Sequence, residues 1–371
     1  MNKKGISDIV TVAICSLFLI TAICAFFFFG GNNIAEEENR VAASFPSLSA
    51  KSLASGSYFE DLSAFVSDSF PFRKELISLN STVKLALGER ESGGVFLAYD
   101  GSLIFRGEYN DLETARKNAE ALAMFSAPFD IPAVMAIIPR ACDVNSELLP
   151  NSYDSARSQE IYKLFDRIVP NAAGLRNSVF DALSACEHPF YRTDHHWTTE
   201  GAFSAYREIL SALGKEPCDR SFFAEEAVSR SFYGTAYSRS SFRFVDPDVI
   251  TLYRYEGDGD YIVEADSKPI ELYDPLSLAK KDKYQVFLGG NYAQLSLSSD
   301  KGARPRLLLI KDSYANSLIP FLALHFNIHA IDPRYCDKPI SEIIDRGSYD
   351  YVLILFSADT LATTPMYNKL R

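Results

Sequence analysis

Residues 191–200 read YRTDHHWTTE, which sets an acid, two adjacent histidines and the only tryptophan of the chain among tyrosine and threonine hydroxyls. Three kinds of chemistry fit these types. Asp194 and His196 are two apart, so in an extended segment both side chains leave one face and can meet, an acid orienting a base. His195 then points elsewhere, and Trp197 points with it as a wall or a packing residue. Asp194, His195 and His196 are also metal-ligand types, but neighbouring extended side chains diverge. Because His188, His325 and His329 show no ligand spacing, no metal is expected. In the third reading Asp194 caps the helix that follows, and the histidines pack beside Trp197.

A base needs a nucleophile in contact, and the sequence offers one more than a hundred residues further on. PRLLLIKDSYANSLIPFLALHF reads as a buried strand over 307–310, a tight polar turn over 311–313 and a helix running towards Phe326. A serine on such a turn is exposed at the sheet edge, beside helix N–H groups that stabilise a developing oxyanion. Ser313 stands there. Serine is equally an ordinary helix cap, and the turn alone does not separate the two roles.

The elements that must position these residues alternate in type. TEGAFSAYREILSALG places Ala202, Ala205, Tyr206, Ile209 and Leu210 on one helical face, so the Asp194–His196 pair lies just before a helix. Helices are also expected over 112–126 and in SQEIYKLFDRIV; IPAVMAIIP, IHAID and YDYVLILF read as buried strands. Alternation of this kind predicts an α/β fold with a mostly parallel sheet flanked by helices, whose ligands sit at the carboxyl ends of the strands. The base and the serine can therefore converge on one edge. Residues 228–300 read as turns and short strands, a β-rich insertion.

Ahead of this domain, expected over 91–371, lie three further segments. Residues 9–29 carry no charge, enough to cross a bilayer of roughly 30 Å. Lys3 and Lys4 precede the run and Glu36, Glu37 and Glu38 follow it, which predicts a single transmembrane anchor within residues 1–30, a cytoplasmic N-terminus and an extracytoplasmic remainder. A cleaved signal peptide is the rival reading, yet AFFFFG offers no small-residue cleavage site. Residues 31–56 read as a stalk, and 57–90 as a helical lead-in broken at Pro71. The whole chain, 371 residues with 47% hydrophobic and 23% charged, can bury one large core or two modest ones. A net charge of −11 without a basic stripe excludes nucleic-acid backbone binding. Cys142, Cys186, Cys218 and Cys336 are too scattered for a zinc ribbon, and their pairing stays open.

YRTDHHWTTEGAFSAY resembles the signature of the DHHW protein family of bacterial cell envelopes, which is similar to the SGNH-hydrolase-like domain of alginate O-acetyltransferases. The resemblance extends to SYFEDLSAFVSDSFPFRKELISL, GVFLAYDGSLI, FYGTAYSRS, KYQVFLGGN and the block from KDSYANSLIPFLALHF to IDPRY, most of the chain after residue 45. It implies a membrane-anchored SGNH-like domain using a triad of Ser313, His196 and Asp194 to move an acyl group onto a polysaccharide or other glycan acceptor. A membrane-bound O-acyltransferase partner would supply the acyl group; no cofactor is implied. The Asp-x-His pair precedes the serine, so the motif order is circularly permuted relative to ordinary SGNH esterases, and Lys311 replaces their usual glycine before Asp-Ser. Candidate oxyanion or substrate residues are the Ser313 N–H, Gly290 and Asn291 of FLGGN, Tyr314, Asn316, Arg334 and Trp197. GGN is equally an ordinary turn, and Arg334 with Tyr335 is equally a loop closure. The same triad serves an O-acetylesterase, and a non-catalytic glycan-binding scaffold is the remaining reading.

Overall fold

The computed structural model describes residues 9–17, 19–21, 24, 43–107, 112–131, 133–300 and 303–370, in two compact units that meet at Glu89 and Arg90. Among the described residues no helix is long and apolar enough to cross a membrane. Of the anchor expected over 9–29, residues 9–17, 19–21 and 24 are described and helical; the first part of the stalk lies outside the described residues. The first unit is helical, with α1 (Ala50–Ser55), α2 (Ser57–Asp68) and α3 (Arg73–Ala86). Ser49 and Ser52 cap α1 reciprocally, and Gly56 ends it in the left-handed conformation that glycine adopts without strain. Part of the expected stalk is therefore helix.

The second unit is three-layered. Among the described residues its central sheet has seven strands: β4 (Ala133–Ile138), β7 (Ile262–Ala265), β8 (Lys268–Ile270), β9 (Gln294–Ser298), β10 (Arg306–Lys311), β11 (Asn327–Ile331) and β12 (Tyr351–Ser357). They lie side by side in the order β4-β12-β10-β11-β9-β7-β8. β4, β12, β10 and β11 run parallel, whereas β9, β7 and β8 pair antiparallel. The sheet is thus mixed rather than mostly parallel. The correction has a simple cause: QLSLS of β9 alternates exposed and buried, and its place beside β11 is set by hydrogen bonding that periodicity cannot express. Three strands of the expected insertion, β7, β8 and β9, are the antiparallel half of the main sheet. Only β5 (Ala224–Phe232) and β6 (Asp248–Arg254) form a separate ribbon, and β1 (Glu91–Ser92), β2 (Val95–Leu97) and β3 (Leu103–Phe105) form a small third sheet.

Strand alternation sends side chains into two cores. Leu307, Leu309, Leu353 and Leu355 join the core under α6 (Asn171–Ser184) and α7 (Thr199–Ala212). Leu308, Ile310, Val352, Ile354 and Phe356 join the other, under α4 (Leu112–Ser126) and α5 (Ser155–Ile168). This double burial is why β10 and β12 read as unbroken apolar runs. At the end of β4 the buried Arg140 holds both oxygens of Asp143, at 2.7 and 2.9 Å, while Tyr153 and Tyr162 donate to the same carboxylate at 2.7 and 2.6 Å. All the acceptors of a buried charge are satisfied there.

Candidate active site

β10 lies between β11 and β12 and ends at a turn stabilised from three sides. Asp312 accepts the Tyr314 N–H through Oδ1 at 3.0 Å and the Ser357 N–H, from the end of β12, through Oδ2 at 2.8 Å. Asp312, not Ser313, is therefore the cap, and Ser313 opens the 3₁₀ turn Ser313–Ser317 with its hydroxyl uncommitted to capping. The long helix expected towards Phe326 is instead this turn followed by the short helix Ile319–Leu322. Tyr284 donates to the Ser313 carbonyl at 3.2 Å, and the Trp197 indole donates to the Tyr314 carbonyl at 3.0 Å. Among the described residues the Ser313 N–H takes no partner.

The histidine arm is a closed loop rather than a strand. Phe190 bridges Trp197, the Tyr191 N–H donates to the His196 carbonyl at 3.1 Å, and Asp248 accepts the N–H groups of Arg192 and Thr193, each at 2.8 Å. The loop tip brings Asp194 onto His196. Asp194 Oδ1 accepts from the His196 N–H at 3.0 Å and from Nδ1 at 2.5 Å; Oδ2 accepts from the Thr235 N–H at 2.7 Å and hydroxyl at 2.9 Å. His196 Nε2 lies 2.9 Å from Ser313 Oγ. With Nδ1–H given to the carboxylate, Nε2 is left to accept the serine proton. The alternative in which Asp194 caps the next helix is excluded, because Thr198 caps α7 and the Asp194 oxygens accept from His196 and Thr235 instead.

Two contacts fix the imidazole. The Tyr284 ring stacks on His196 at 3.8 Å and 9°. Such a stack contributes about 0.5–1.5 kcal/mol, against about 1.5–3 kcal/mol for a hydrogen bond to a charged group. Asp194 therefore sets the ring's orientation, and Tyr284 sets its plane. Burial and the neighbouring His195 hold His196 below the usual imidazole range, so it is a neutral base at pH 7. His195 lies above that range, its burial overcome by the Asp194 carboxylate 3.6 Å away. Asp194 is far below the usual carboxylate range, because the two histidines outweigh its burial.

His195 does not point elsewhere. Its Nδ1 is 2.6 Å from Thr235 Oγ1 and its ring 3.8 Å from that of His196, since the bend at 194–196 breaks the strand alternation the spacing suggested. As the Thr235 hydroxyl donates to Asp194, it accepts from His195. Trp197 is fully buried and braces the Ser313 turn, so it is not a substrate wall. Among the described residues Asp194, His195 and His196 are the group whose potential metal-ligand atoms lie within 4.8 Å of one another, but the Asp194 oxygens are already taken by N–H and O–H donors.

The remaining candidates divide. Tyr314 is buried and its hydroxyl donates to the His195 carbonyl, a support beneath the arm. Asn316 is buried on the Ser313 turn and donates through Nδ2 to the Gly290 carbonyl at 3.3 Å and to Asn291 Oδ1 at 3.0 Å, which brings the FLGGN segment to the serine's turn. Gly290 has φ +150, a conformation reserved for glycine. Arg334 is held by Asp332 through two bonds at 2.9 and 2.7 Å, and Tyr335 is exposed. Cys142, Cys186, Cys218 and Cys336 are all free thiols. Sequence reasoning missed Thr235, Gly234, Tyr284 and Asp248. The first three lie in FYGTAYSRS and KYQVFLGGN, segments singled out as wholes, without a pattern that assigns their members.

These contacts define an α/β unit whose sheet edge carries a serine, a histidine and an aspartate in hydrogen-bonding order. The chain belongs to the DHHW protein family, whose model matches residues 130–331, more than half of its length. It is similar to the crystal structure of a DHHW family protein from Eubacterium siraeum, with 20% identity and a TM-score of 0.61 over 75% of this chain and 95% of that one. It is also similar to Bacillus cereus PatB1 solved with a sulfonyl adduct, with 19% identity and a TM-score of 0.59 over 74% of this chain and 98% of that one. The likeness at these identities is one of fold. No curated protein sequence matches the chain.

Proposed function

We propose that this protein is an anchored, extracytoplasmic serine O-acyltransferase that moves an acyl group, acetyl in the favoured case, to a hydroxyl of a cell-envelope glycan. One observation carries the reading: His196 in contact with both Ser313 Oγ, at 2.9 Å, and Asp194, at 2.5 Å. Ser313 Oγ attacks the acyl carbonyl as His196 Nε2 takes its proton, and Asp194 steadies the imidazolium. His196 then protonates the leaving group, and an acyl-Ser313 ester remains. A glycan hydroxyl gives its proton to His196, attacks the ester and restores the serine. The unpartnered Ser313 N–H is one donor for the oxyanion of both steps. The acyl donor is presented by a membrane-bound O-acyltransferase partner, and the apolar run over 9–29 supplies the anchor.

The fold shared with PatB1, which has been solved with a sulfonyl adduct, recommends a sulfonyl fluoride as the probe. The fragment from residue 43 is treated with it, then followed for acetate release from a chromogenic acetyl ester with and without a glycan acceptor. Labelling and turnover that vanish in Ser313→Ala, with acetyl diverted to the acceptor, are expected. Turnover to free acetate regardless of acceptor would replace the transferase with an O-acetylesterase. A folded wild type that neither labels nor turns over would leave the glycan-binding scaffold.

A further inference from the structure

Lys311 occupies the end of β10, one residue before the Asp312 cap, with only 3% of its surface exposed. A buried ammonium is costly unless it has work for its protons. Its Nζ donates to Asn316 Oδ1 at 2.6 Å and approaches the Asp312 carbonyl at 3.5 Å. The first bond decides which way the Asn316 amide faces: an ammonium can only donate, so the oxygen must point at Lys311 and the NH₂ away from it. That NH₂ reaches the Gly290 carbonyl and Asn291 Oδ1. The same logic then orients Asn291. Its oxygen is taken by Asn316, so its own NH₂ is turned outward, and among the described residues it has no partner.

We infer that Lys311 is a positioning residue: its ammonium fixes the Asn316 amide, and through it holds Asn291 with its NH₂ free to donate to the oxyanion formed on the acyl carbon. The inference rests on the acyl-transfer reading of Ser313 and deepens it, assigning the second oxyanion donor to Asn291 and its orientation to a lysine that never touches substrate. The charged groups facing Lys311 are Asp312, on its own strand's end, and Asp332 and Arg334, at the end of β11. Leu355 lies opposite it on β12, and the Asn316 and Asn291 segments bring only amides. Burial, against the pull of Asp332, pushes the Lys311 ammonium down to about 8. Above that pH the neutral amine can accept as well as donate, and the one-way orientation of the relay is lost.

The test compares wild type, Lys311→Met and Asn291→Ala on a chromogenic acetyl ester across pH 6 to 10, with kcat and KM resolved and thermal unfolding recorded for each. Wild-type kcat is expected to fall with a midpoint near pH 8. Both variants are expected to lose about 10²–10³-fold in kcat, the usual cost of one oxyanion donor, at little change in KM. Lys311→Met is expected to lose the basic limb as well. Since the folded state binds fewer protons here than the unfolded one, this group makes stability rise with pH above 8, and the thermal unfolding curves separate a fall in kcat from unfolding caused by other groups. A wild-type kcat that stays flat from pH 7 to 9.5 overturns the inference even if neither variant folds. So does a folded Lys311→Met with wild-type kcat. Sulfonyl labelling of wild-type Ser313 separates these outcomes from failure of the acyl-transfer reading itself.

Discussion

Gly234 is the sharpest place to test whether Asp194 must sit where it does. Its φ of −89 suits any residue, so alanine meets no backbone strain there. Space is the difficulty. A Cβ at Gly234 would stand 2.3 Å from both Cβ and Oδ2 of Asp194, where ordinary contact begins at 3.4 Å. The carboxylate must therefore retreat by about 1 Å, out of line with the Thr235 N–H and with His196 Nδ1. A displacement of that size costs about 10²-fold in rate, or about 2.7 kcal/mol of barrier. Gly234→Ala is expected to slow both kcat/KM on the acetyl ester and sulfonyl labelling of Ser313 by that factor. The double variant with Asp194→Gly should be no slower than Asp194→Gly alone, because every side-chain atom the methyl would meet is then gone. Wild-type rates in a folded Gly234→Ala, or a full further loss in the double variant, would refute the reasoning.

His195 and Arg140 give two further tests. The positive charge on His195 disfavours a second one on His196, so His195→Gln should raise the His196 pKa and move the acid limb of kcat/KM to higher pH. An unmoved or lower limb would contradict this. His195 itself, raised in the folded state, adds stability that is complete below the ordinary imidazole range and lost as pH rises through its folded value, so the same variant should lose more stability at pH 5 than at pH 9. Arg140→Met strands the Asp143 carboxylate among Tyr153 and Tyr162 and should cost about 3–5 kcal/mol in urea unfolding, far more than the loss of an exposed ion pair.

How much of this was legible in the sequence depends on whether a residue's role is written in its neighbours. Asp194 and His196 could be paired from their spacing, and Ser313 placed from the apolar run before it, since local pattern carries both. The turn that holds them could not be read so. Thr235, which accepts from His195 and donates to Asp194, and Tyr284, which stacks on His196, come from segments forty and more residues away, with no periodicity of their own. His195 was expected to point away from His196 because strand alternation was applied to residues that form a bend, whereas Trp197 took the packing role of its two expected ones. The parallel half of the sheet was legible from its double burial; the antiparallel half was not, because β7 and β9 are short and register is a relation between strands.

The last strand carries a consequence for when the chain becomes dangerous to its surroundings. β12 pairs with β4, more than two hundred residues earlier, and its terminal Ser357 N–H closes the second oxygen of the Asp312 cap beneath Ser313. A nascent chain that has already produced the serine, the histidine and the aspartate still lacks the strand that seats the serine's turn. Contacts this remote form late, after the long intervening loop has closed. On the proposed reading, reactivity is deferred until β12 has been made, and a chain cut before it keeps every chemical group of the site without the strand that seats Ser313.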